Sequence, residues 1–275
     1  MVGLVHLVWA PLGVSPLREF LHSYHAHPAG TQHELVIALN GAGSNGPARS
    51  FLREELLAEL TETEHRLIVL EQPVLDLAAY GLAARQLECR NLCFLNSYSV
   101  ILVDGWLGKL SAALDEPEVG LVGASGSWES QAEWMRGSSS HWIHQLASLR
   151  PVRRDYPRFP NPHIRTSAFM VARDNFLELG PESVRDKRSA YLLESGRKSI
   201  SRRVWERDLR ALVVDRNGRS YDVPDWPASR TFRIGEQEGL LIADNQTRDY
   251  ETASSRRRRR LSRDTWGARS DDRSG

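Results

Sequence analysis

The sequence predicts an α/β protein whose mainly parallel sheet carries helices on both faces. Short apolar runs of strand length alternate with runs at helical spacing through roughly the first 125 residues. This alternation is typical of parallel sheets, because a helix carries the chain back to the start of the next strand. The 275-residue chain is 41% hydrophobic and 26% charged, so it can bury a sizeable core. Pro11 and Gly13 end the first apolar run, as turn residues do.

Five strands and four helices are predicted in this first part. The strands are LVHLVW from Leu4, ELVIALN from Glu34, HRLIVLEQ from His65, LCFLN from Leu92 and VGLVGAS from Val119, and the helices cover 15–27, 49–60, 75–87 and 106–114. Ser15 is the predicted N-cap of the first helix, and Pro16 takes the first helical position, where no backbone N–H is needed. Leu17, Phe20 and Leu21 follow at helical spacing.

The second half of the sequence is less regular. IRTSAFMVARDNFLEL predicts a strand that runs into a helix, 189–211 is predicted to be mostly helical, and ALVVDRNGRSYDV predicts a hairpin around Asn217 and Gly218. We divide the chain into a first half at 1–126, a second half of the same domain at 127–251 and a basic tail at 252–275. The tail has few apolar residues, so we expect it to be disordered.

Composition excludes several classes of protein. No apolar run approaches the ~18 residues of a membrane helix. The apolar start MVGLVHLVWAPLGV has no cationic lead and contains His6, which favours a buried strand over a signal peptide. Cys89 and Cys93 form neither a disulfide framework nor a zinc site, and we expect them to be core thiols. A cytoplasmic location is the simplest expectation.

The net charge of +1 hides an asymmetry between the two halves. Residues 1–150 carry nine Lys or Arg against sixteen Asp or Glu, whereas residues 151–275 carry twenty-seven against nineteen. Only three of the thirty-six cationic residues are Lys, and Arg is the better bidentate ligand for phosphate. The basic half could face a phosphorylated substrate or an anionic membrane, or it could reflect a genome that favours arginine codons.

A glycine-rich turn follows the second predicted strand. Gly41, Gly43 and Gly46 in GAGSNG have the G-x-G-x-x-G spacing of a dinucleotide site, so an NAD-dependent oxidoreductase is one alternative. A dinucleotide fold carries this motif on its first βα turn, however, and here a complete βα unit precedes it. Glu71, the acid that would bind the ribose, follows Gly46 by 25 residues, which is late for that role.

Other sequence features extend over more of the chain than the glycine motif does. VWAPLG ends the first strand near Pro11, ALNGAGSNG ends the second at Asn40, and a later helix and strand lead to the turn at Asn96–Tyr98. In this order of features the sequence resembles nucleotide-sugar glycosyltransferases of the GT-A fold, especially the large inverting family of polysaccharide and lipopolysaccharide synthases. The resemblance spans about 4–125 and, more loosely, 160–215. It implies a Rossmann-like fold that transfers a sugar from a nucleotide-diphosphate donor to a glycan or lipid-linked acceptor.

The resemblance also implies where the donor binds. The positions that would contact the nucleotide sugar are Pro11, Asn40, Asp76, Arg85, Asn96 and Tyr98. Asp76 would contact the base or ribose and Arg85 the diphosphate. From the residues alone, Asp76 serves equally well as the N-cap of its helix, and Arg85 equally well as an ordinary surface cation.

One departure from the family concerns the metal. Its members hold Mn²⁺ or Mg²⁺ with an Asp-any-Asp motif, because hard cations prefer carboxylate oxygens, but here that position reads Asn96-Ser97-Tyr98. Arginine could supply the charge that stabilises the leaving diphosphate without a metal. Alternatively, Asp104 could replace the missing carboxylates, or the chain could be a non-catalytic relative. We favour the first of these three interpretations.

The remaining candidates lie in the second half. An inverting transfer needs a carboxylate that takes the proton of the acceptor hydroxyl, and Glu194 in LLESGRKSISRRVWERDL stands at the family's position for this base. Otherwise Glu194 is an acid that starts a helix and is stabilised by the helix dipole. Trp128, after the fifth strand, could stack on an acceptor sugar, and Arg165 lies beside the expected acceptor cleft.

The run Arg256–Arg260 could give peripheral contact with an anionic membrane, or it could be part of a solvated tail. Nucleic acid is not an expected partner, because no aromatic platform for stacking bases accompanies these arginines. The sequence therefore predicts a cytoplasmic, inverting glycosyltransferase of cell-surface polysaccharide biosynthesis. The alternatives are a non-catalytic GT-A-like binding protein and the NAD-dependent oxidoreductase.

Overall fold

Within the described residues, eight strands form the central mixed sheet. The structure, a computed structural model, describes residues 1–41, 47–132 and 154–267, and only the backbone of 47–51. The strands are β1 Val2–Trp9, β2 His33–Asn40, β3 Arg66–Leu70, β4 Asn91–Leu95, β5 Val100–Ile101, β6 Val119–Gly123, β7 Gly126–Ser127, β8 His163–Ile164, β9 Ala168–Ala172, β10 Arg210–Val214, β11 Ser220–Tyr221 and β12 Ile242–Ala243. The central sheet has the order β11-β10-β6-β9-β4-β1-β2-β3, while β5 pairs with β12 and β7 with β8.

Parallel pairing gives this sheet one carboxyl edge, at which β1, β2, β3, β4 and β6 all end. β1 pairs in parallel with β2 and β4, β2 with β3, and β6 with β10. β9 runs antiparallel between β4 and β6, so these two strands also point the same way. The predicted fold class, an α/β protein with a mainly parallel sheet, is confirmed.

Helices cover both faces of the sheet. They are α1 Ser15–Ala26, α2 Pro47–Glu59, α3 Asp76–Ala84, α4 Trp106–Leu114, α5 Arg173–Leu177, α6 Lys187–Ser195, α7 Ile200–Trp205, α8 Asn245–Glu251 and α9 Ser255–Trp266. Val5 and Leu7 of β1 belong to the core beneath α3, whereas Leu4 and Val8 belong to the core beneath α1 and α4. This division follows from the strand itself, because successive side chains point to opposite faces.

The first half of the chain contains all five predicted strands and all four predicted helices. One local detail differs, since Val14 rather than Ser15 is the N-cap of α1 and no side chain caps the helix. The predicted helical stretch at 189–211 is divided between α6 and α7 and ends in β10. The hairpin is confirmed, because β10 and β11 pair antiparallel across a turn in which Gly218 has a φ of 84°.

The two halves of the chain share one sheet. The predicted boundary at 126 falls inside β7, whose partner β8 belongs to the second half. β9 and β10, also from the second half, flank β6 of the first. Strands from the two halves are therefore interleaved in the same sheets.

The expectation of a disordered tail from Thr252 is wrong for the described part of that segment. Residues 255–266 form α9, and Trp266 is buried, with its indole Nε1 donating a hydrogen bond to the Phe232 carbonyl at 2.7 Å. The Trp266 ring also meets Trp128 edge to face, with ring centroids 5.5 Å apart. One buried tryptophan thus fixes this helix to the rest of the protein, although the segment has few apolar residues on average. The last predicted tail residues, 268–275, lie outside the described residues.

The two cysteines are buried and free, as expected of core thiols. Burial raises the pKa of the Cys93 thiol, so this group is an inert part of the core rather than a reactive nucleophile. No helix among the described residues combines the length and the apolar character that crossing a bilayer demands.

His6 is a buried histidine with no hydrogen-bond partner among the described residues. Its ring is fully enclosed within β1 and stacks on Phe20 with ring centroids 3.6 Å apart, and neither ring nitrogen is bonded. Burial lowers the pKa of His6 from 6.5 to about 3. The imidazole is therefore neutral in the folded protein across the physiological range.

We predict that His6 makes the protein acid-sensitive. Below pH 6.5 His6 is protonated in the unfolded chain, whereas in the folded chain it stays neutral until about pH 3. The free energy of unfolding should thus fall by about 1.4 kcal/mol per pH unit from this group alone. Urea denaturation of the wild type and His6→Leu at several pH values from neutral downward measures the difference. If the free energy of unfolding depended on pH in the same way in both proteins down to mildly acidic pH, the lowered pKa of His6 would be contradicted. All other histidines are common to both proteins.

Candidate functional site

The carboxyl edge brings together the strand ends that the sequence singled out. Trp9 of β1 lies beside Asn40 of β2, and Asn40 beside Leu70 of β3. The hydroxyl of Ser97, just after β4, accepts a hydrogen bond of 2.9 Å from the Trp9 backbone N–H. Pro11 lies in the 3₁₀ turn Ala10–Leu12 that follows β1, against Gly41, which follows β2. Pro11, Asn40 and the turn after β4 therefore lie close together at this edge, as expected.

Asn40 is buried and is used to hold the backbone of another segment. Its Nδ2 donates to the Val74 carbonyl at 2.7 Å, and its Oδ1 accepts from the Val74 N–H at 3.1 Å. This pair of bonds fixes the segment that leads into α3 onto the end of β2. Asn40 therefore does not face a ligand directly, as its expected contact with the nucleotide sugar would need. It positions Val74 and the neighbouring Asp76 instead.

The turn at Asn96–Tyr98 is held by its own amide. The Oδ1 of Asn96 accepts from the Tyr98 backbone N–H and from the Ser99 hydroxyl, each at 3.1 Å. The oxygen that could have been a neutral metal ligand is thus occupied by the turn. The alternative ligand Asp104 bonds His27 at 2.7 Å, beyond the far end of α1, so the loop does not fold back. No group of three His, Cys, Asp or Glu suited to a metal occurs among the described residues, and the turn at Asn96–Tyr98 itself presents no carboxylate oxygen to Mn²⁺ or Mg²⁺.

Glu194 reaches this turn through β9. Its Oε1 accepts from the backbone N–H of Thr166 at 3.0 Å and from the Thr166 hydroxyl at 2.8 Å. The next residue, Ser167, accepts from the Asn96 backbone N–H at 2.9 Å. The Glu194 carboxylate is therefore held one residue away from the contact with Asn96. Two hydrogen bonds from Thr166 thus fix a half-buried carboxylate beside the turn at Asn96–Tyr98.

The helix dipole does not explain Glu194. α6 covers Lys187–Ser195, so Glu194 lies at its carboxyl end, where the partial charge of the helix is negative. An acid is disfavoured there, and the interpretation of Glu194 as a helix-initiating acid is wrong. The N-cap of α6 is Asp186, which forms a capping box with Ser189.

Asp76 faces the same space as Glu194. Asp76 is the first residue of α3, and the N-cap is Leu75, so the capping role considered for Asp76 is not present. Its side chain reaches solvent, yet the surrounding protein desolvates it enough to raise the pKa of its carboxyl, and the charge of Glu194 raises it further. Tyr80, one turn along α3, is buried, and its hydroxyl has no hydrogen-bond partner among the described residues. Burial raises the pKa of this hydroxyl most, and the charge of Asp76 raises it further. Two carboxylates and a phenol thus share one part of the carboxyl edge.

Arg85 lies at the opposite edge of the sheet, which corrects its predicted contact with a diphosphate. It follows the last residue of α3, and its guanidinium pairs with Glu182. The preceding Ala84 carbonyl accepts from Arg173, whose own N–H bonds Arg90 at the start of β4. Since α3 runs antiparallel to the strands, Asp76 at its beginning reaches the site and Arg85 at its end does not.

Arg165 is engaged within the protein, and Trp128 packs on the rest of the protein with one side while it stays half-exposed. Arg165 is buried, pairs with Asp244 at 2.7 Å and lies over the Phe232 ring at 3.8 Å. Burial alone would raise the pKa of Asp244, but the charge of Arg165 and hydrogen bonds outweigh it and lower that pKa. Trp128 packs on Trp266 of α9. The expected acceptor contact of Arg165 is therefore corrected to a structural role, whereas that of Trp128, which is half-buried, stays a prediction. Trp134 and Trp142 lie outside the described residues.

Arg248 is the residue that the sequence analysis missed. It lies in α8, which begins with a capping box in which Asp244 accepts from the backbone N–H groups of Gln246 and Thr247. One guanidinium nitrogen of Arg248 donates to the Tyr98 carbonyl at 3.2 Å, and the other pairs with Glu19 of α1 at 2.7 Å. A cation is thus bound directly to the turn that lacks carboxylates. In the sequence, Arg248 is marked only by its position four residues after Asp244, the N-cap of α8.

No protein-family model matches the sequence, and no curated protein matches it. The structure of GalNAc-T7 with UDP, GalNAc and Mn²⁺ aligns with a TM-score of 0.50, 13% identity and coverage of 95% of this chain and 51% of that chain. The chain has a GT-A fold.

Two further solved structures are similar at lower scores. A mannosyltransferase, PcManGT from Pyrobaculum calidifontis in complex with GDP-Man and Mn²⁺, has a TM-score of 0.46 and 14% identity, covering 83% of this chain and 59% of that one. A 4-diphosphocytidyl-2C-methyl-D-erythritol synthase from Anaerococcus prevotii DSM 20548 has a TM-score of 0.46 and 8% identity, covering 78% and 88%. This chain thus spans between half and three fifths of the two glycosyltransferases. A GT-A fold alone does not specify an activity, which must be argued from the site.

The glycine motif has a clear place in this GT-A fold. Gly41, with a φ of 80°, directly follows β2, while Gly43 and Gly46 lie outside the described residues. The first βα turn of the sheet carries Pro11 and Gly13 instead. The motif is therefore on the second βα turn, away from the position where a dinucleotide fold places its fingerprint.

We predict that Asp76 costs the protein stability at neutral pH. Because its pKa in the folded state is raised, the folded protein favours the protonated carboxyl, and ionisation near pH 7 is unfavourable. Asp76→Asn should raise the free energy of unfolding at neutral pH, and the gain should shrink as the pH approaches 3.8, where the unfolded carboxyl also protonates. Denaturant titration at both pH values measures it, with exposed Asp225→Asn as the control. A loss of stability of equal size at both pH values would show that Asp76 acts through a hydrogen bond instead.

Proposed function

We propose that this chain transfers a sugar from a nucleotide-diphosphate donor to a glycan or lipid-linked acceptor, with Glu194 as the general base. The observation that carries the proposal is the carboxylate of Glu194, held by Thr166 beside the turn at Asn96–Tyr98 on the carboxyl edge. Open α/β sheets bind ligands outside the carboxyl ends of their strands. GalNAc-T7, which has the same fold, was solved with UDP and GalNAc, so a donor of this class is the first to test.

The proposed reaction is a single displacement with inversion at the anomeric carbon. The acceptor hydroxyl gives its proton to Glu194 while its oxygen forms the new bond to the anomeric carbon. The bond from that carbon to the diphosphate oxygen breaks, and its electron pair leaves with the nucleoside diphosphate. One carboxylate is enough for this step, because it needs a base but no enzyme nucleophile.

Positive charge at the leaving group is assigned to Arg248. The turn at Asn96–Tyr98 offers no carboxylate for a divalent cation, and its amide oxygen is already bonded. Arg248 donates to the Tyr98 carbonyl and is steadied by Glu19. A guanidinium in this place stabilises negative charge that develops on the diphosphate, as cationic groups do in phosphoryl-bearing sites. We therefore propose a reaction that does not depend on a metal.

Pro11 and the backbone near Val74 are proposed to line the nucleotide side of the site, and Asp76 to contact the base or ribose. A role in cell-surface polysaccharide biosynthesis and a cytoplasmic location remain predictions. The NAD-dependent oxidoreductase is not favoured, because the glycine motif lies on the second βα turn. A non-catalytic binding protein is an explicit outcome of the experiments that follow.

We predict that a nucleoside diphosphate binds and that metal is not required. Thermal denaturation with UDP, GDP, dTDP or NAD, each with Mn²⁺ or with EDTA, should show stabilisation by one of the diphosphates that persists in EDTA. Arg248→Gln should lose most of this shift, because it removes the proposed charge. Arg203→Gln, an exposed arginine paired with Glu206, should keep it. Stabilisation by NAD alone would support the oxidoreductase, and stabilisation that needs Mn²⁺ would refute metal independence.

We predict that Glu194→Gln strongly slows turnover while it preserves the site. The amide oxygen of glutamine can still accept both hydrogen bonds from Thr166, so nucleotide binding should be retained. Loss of the base should slow the release of nucleoside diphosphate from the responding sugar nucleotide by about 10²–10⁴-fold. Glu206→Gln, on the exposed end of α7, is the matched control. Full turnover in Glu194→Gln would remove this residue as the base, and no turnover in the wild type with any donor would favour a non-catalytic protein.

A further inference from the structure

The carboxyl-terminal helix α9 has two different sides. Ser262, Thr265 and Trp266 are buried against the body of the protein, and the Thr265 carbonyl accepts from the Trp128 N–H at 3.2 Å. The outer side of the helix is solvent-exposed. α9 is therefore an ordered surface element rather than a loose chain, and its side chains keep a fixed spacing.

The arginines of α9 fall into two groups. Arg257 pairs with Asp249 at 2.8 Å and Arg258 with Glu236 at 2.7 Å, and these contacts tie the helix to α8 and to the loop before it. The other four are exposed, and within 1–41, 47–132 and 154–267 none of them shows an acidic or hydrogen-bonding side-chain partner. This second group, which we call the arginine face, consists of Arg256, Arg259, Arg260 and Arg263.

The arginine face has the geometry of a single helix stripe. Positions separated by three, four and seven residues lie on one side of an α-helix. The four guanidinium groups therefore share one side, over about 10 Å of helix length, and with Ser254 and Arg257 they line one shallow depression. Asp264, the only acid on α9, lies at the margin of this stripe and forms no ion pair with it. Like charges at such spacings repel one another, and an anionic partner would relieve that repulsion.

A lipid surface fits this face better than other anions. The stripe is exposed and shallow, with no buried donor that would enclose a single phosphate. It carries no aromatic ring on which a base could stack. The apolar side of α9 is already used against Trp128 and Phe232, so nothing remains to insert among acyl chains. What is left is electrostatic contact at the level of the headgroups, which requires only a dense array of negative charge.

We infer that the arginine face of α9 docks the protein on membranes that contain anionic lipids. The contact is peripheral, reversible and dependent on salt, because it consists of exposed charges. The inference replaces the contiguous run Arg256–Arg260 with a face that omits Arg257 and Arg258 and includes Arg263. It goes beyond the proposed sugar transfer and does not depend on it.

The test is co-sedimentation of the full chain with vesicles. We expect binding to phosphatidylcholine vesicles containing about one third phosphatidylglycerol, none to phosphatidylcholine alone, and strong weakening between about 0.01 M and 0.15 M ionic strength. Replacing all four arginines of the face with glutamine should lower the partition coefficient by about 10²–10³-fold. The control replaces four exposed arginines elsewhere with glutamine, giving the same change in charge. They are Arg90, Arg154, Arg158 and Arg216.

Several results would overturn the inference. Equal losses in the two quadruple variants would mean that net charge, and not the arginine face, controls binding. Displacement from vesicles by millimolar inorganic phosphate would indicate a site for the free anion. Tighter binding to duplex DNA than to vesicles, with the same dependence on the face, would indicate nucleic acid. If the quadruple variant unfolds, Arg259→Gln with Arg263→Gln should still lower binding. The thermal shift with nucleotides should be unchanged in these variants, which separates this inference from the proposed function.

Discussion

The antiparallel strand β9 is the constraint on which the site depends. It lies between β4 and β6, so the residues just before it lie beside the residues just after β4. Ser167 accepts from Asn96, and Thr166 offers two donors to Glu194. Without this insertion, β4 and β6 would be neighbours, and Thr166 and Ser167 would not lie beside Asn96. One reversed strand thus brings a carboxylate to the end of a parallel sheet.

A buried ion pair brings the carboxyl-terminal segment to the same place. Arg165 precedes Thr166 in the chain and pairs with Asp244, which also caps α8. Loss of one partner from such a pair leaves an uncompensated buried charge, so the contact strongly specifies where α8 lies. Arg248, one turn further along, is then directed to the Tyr98 carbonyl. The Arg165–Asp244 ion pair therefore joins the backbone segment that binds Glu194 to the helix that contains Arg248.

The site shows how local sequence signals and tertiary contacts differ in what they predict. Hydrophobic spacing predicted the five strands and four helices of the first half, because burial on one face or the other sets that spacing. It also predicted that Pro11, Asn40 and Asn96 share an edge, since parallel strands end together. The roles of individual side chains were less predictable. Asn40 bonds Val74, Arg85 lies at the far edge, and Arg165 is buried in an ion pair.

The sequence by itself determined the α/β class, the order of its first elements and the absence of carboxylates at Asn96–Tyr98, because these follow from spacing and residue type along the chain. Only the tertiary structure decided that Glu194 ends a helix beside Thr166, that Arg248 contacts Tyr98, and that α9 is ordered by Trp266. These contacts join residues far apart in sequence, so no local pattern records them. Their energies depend on which side chains become neighbours once the sheet has formed.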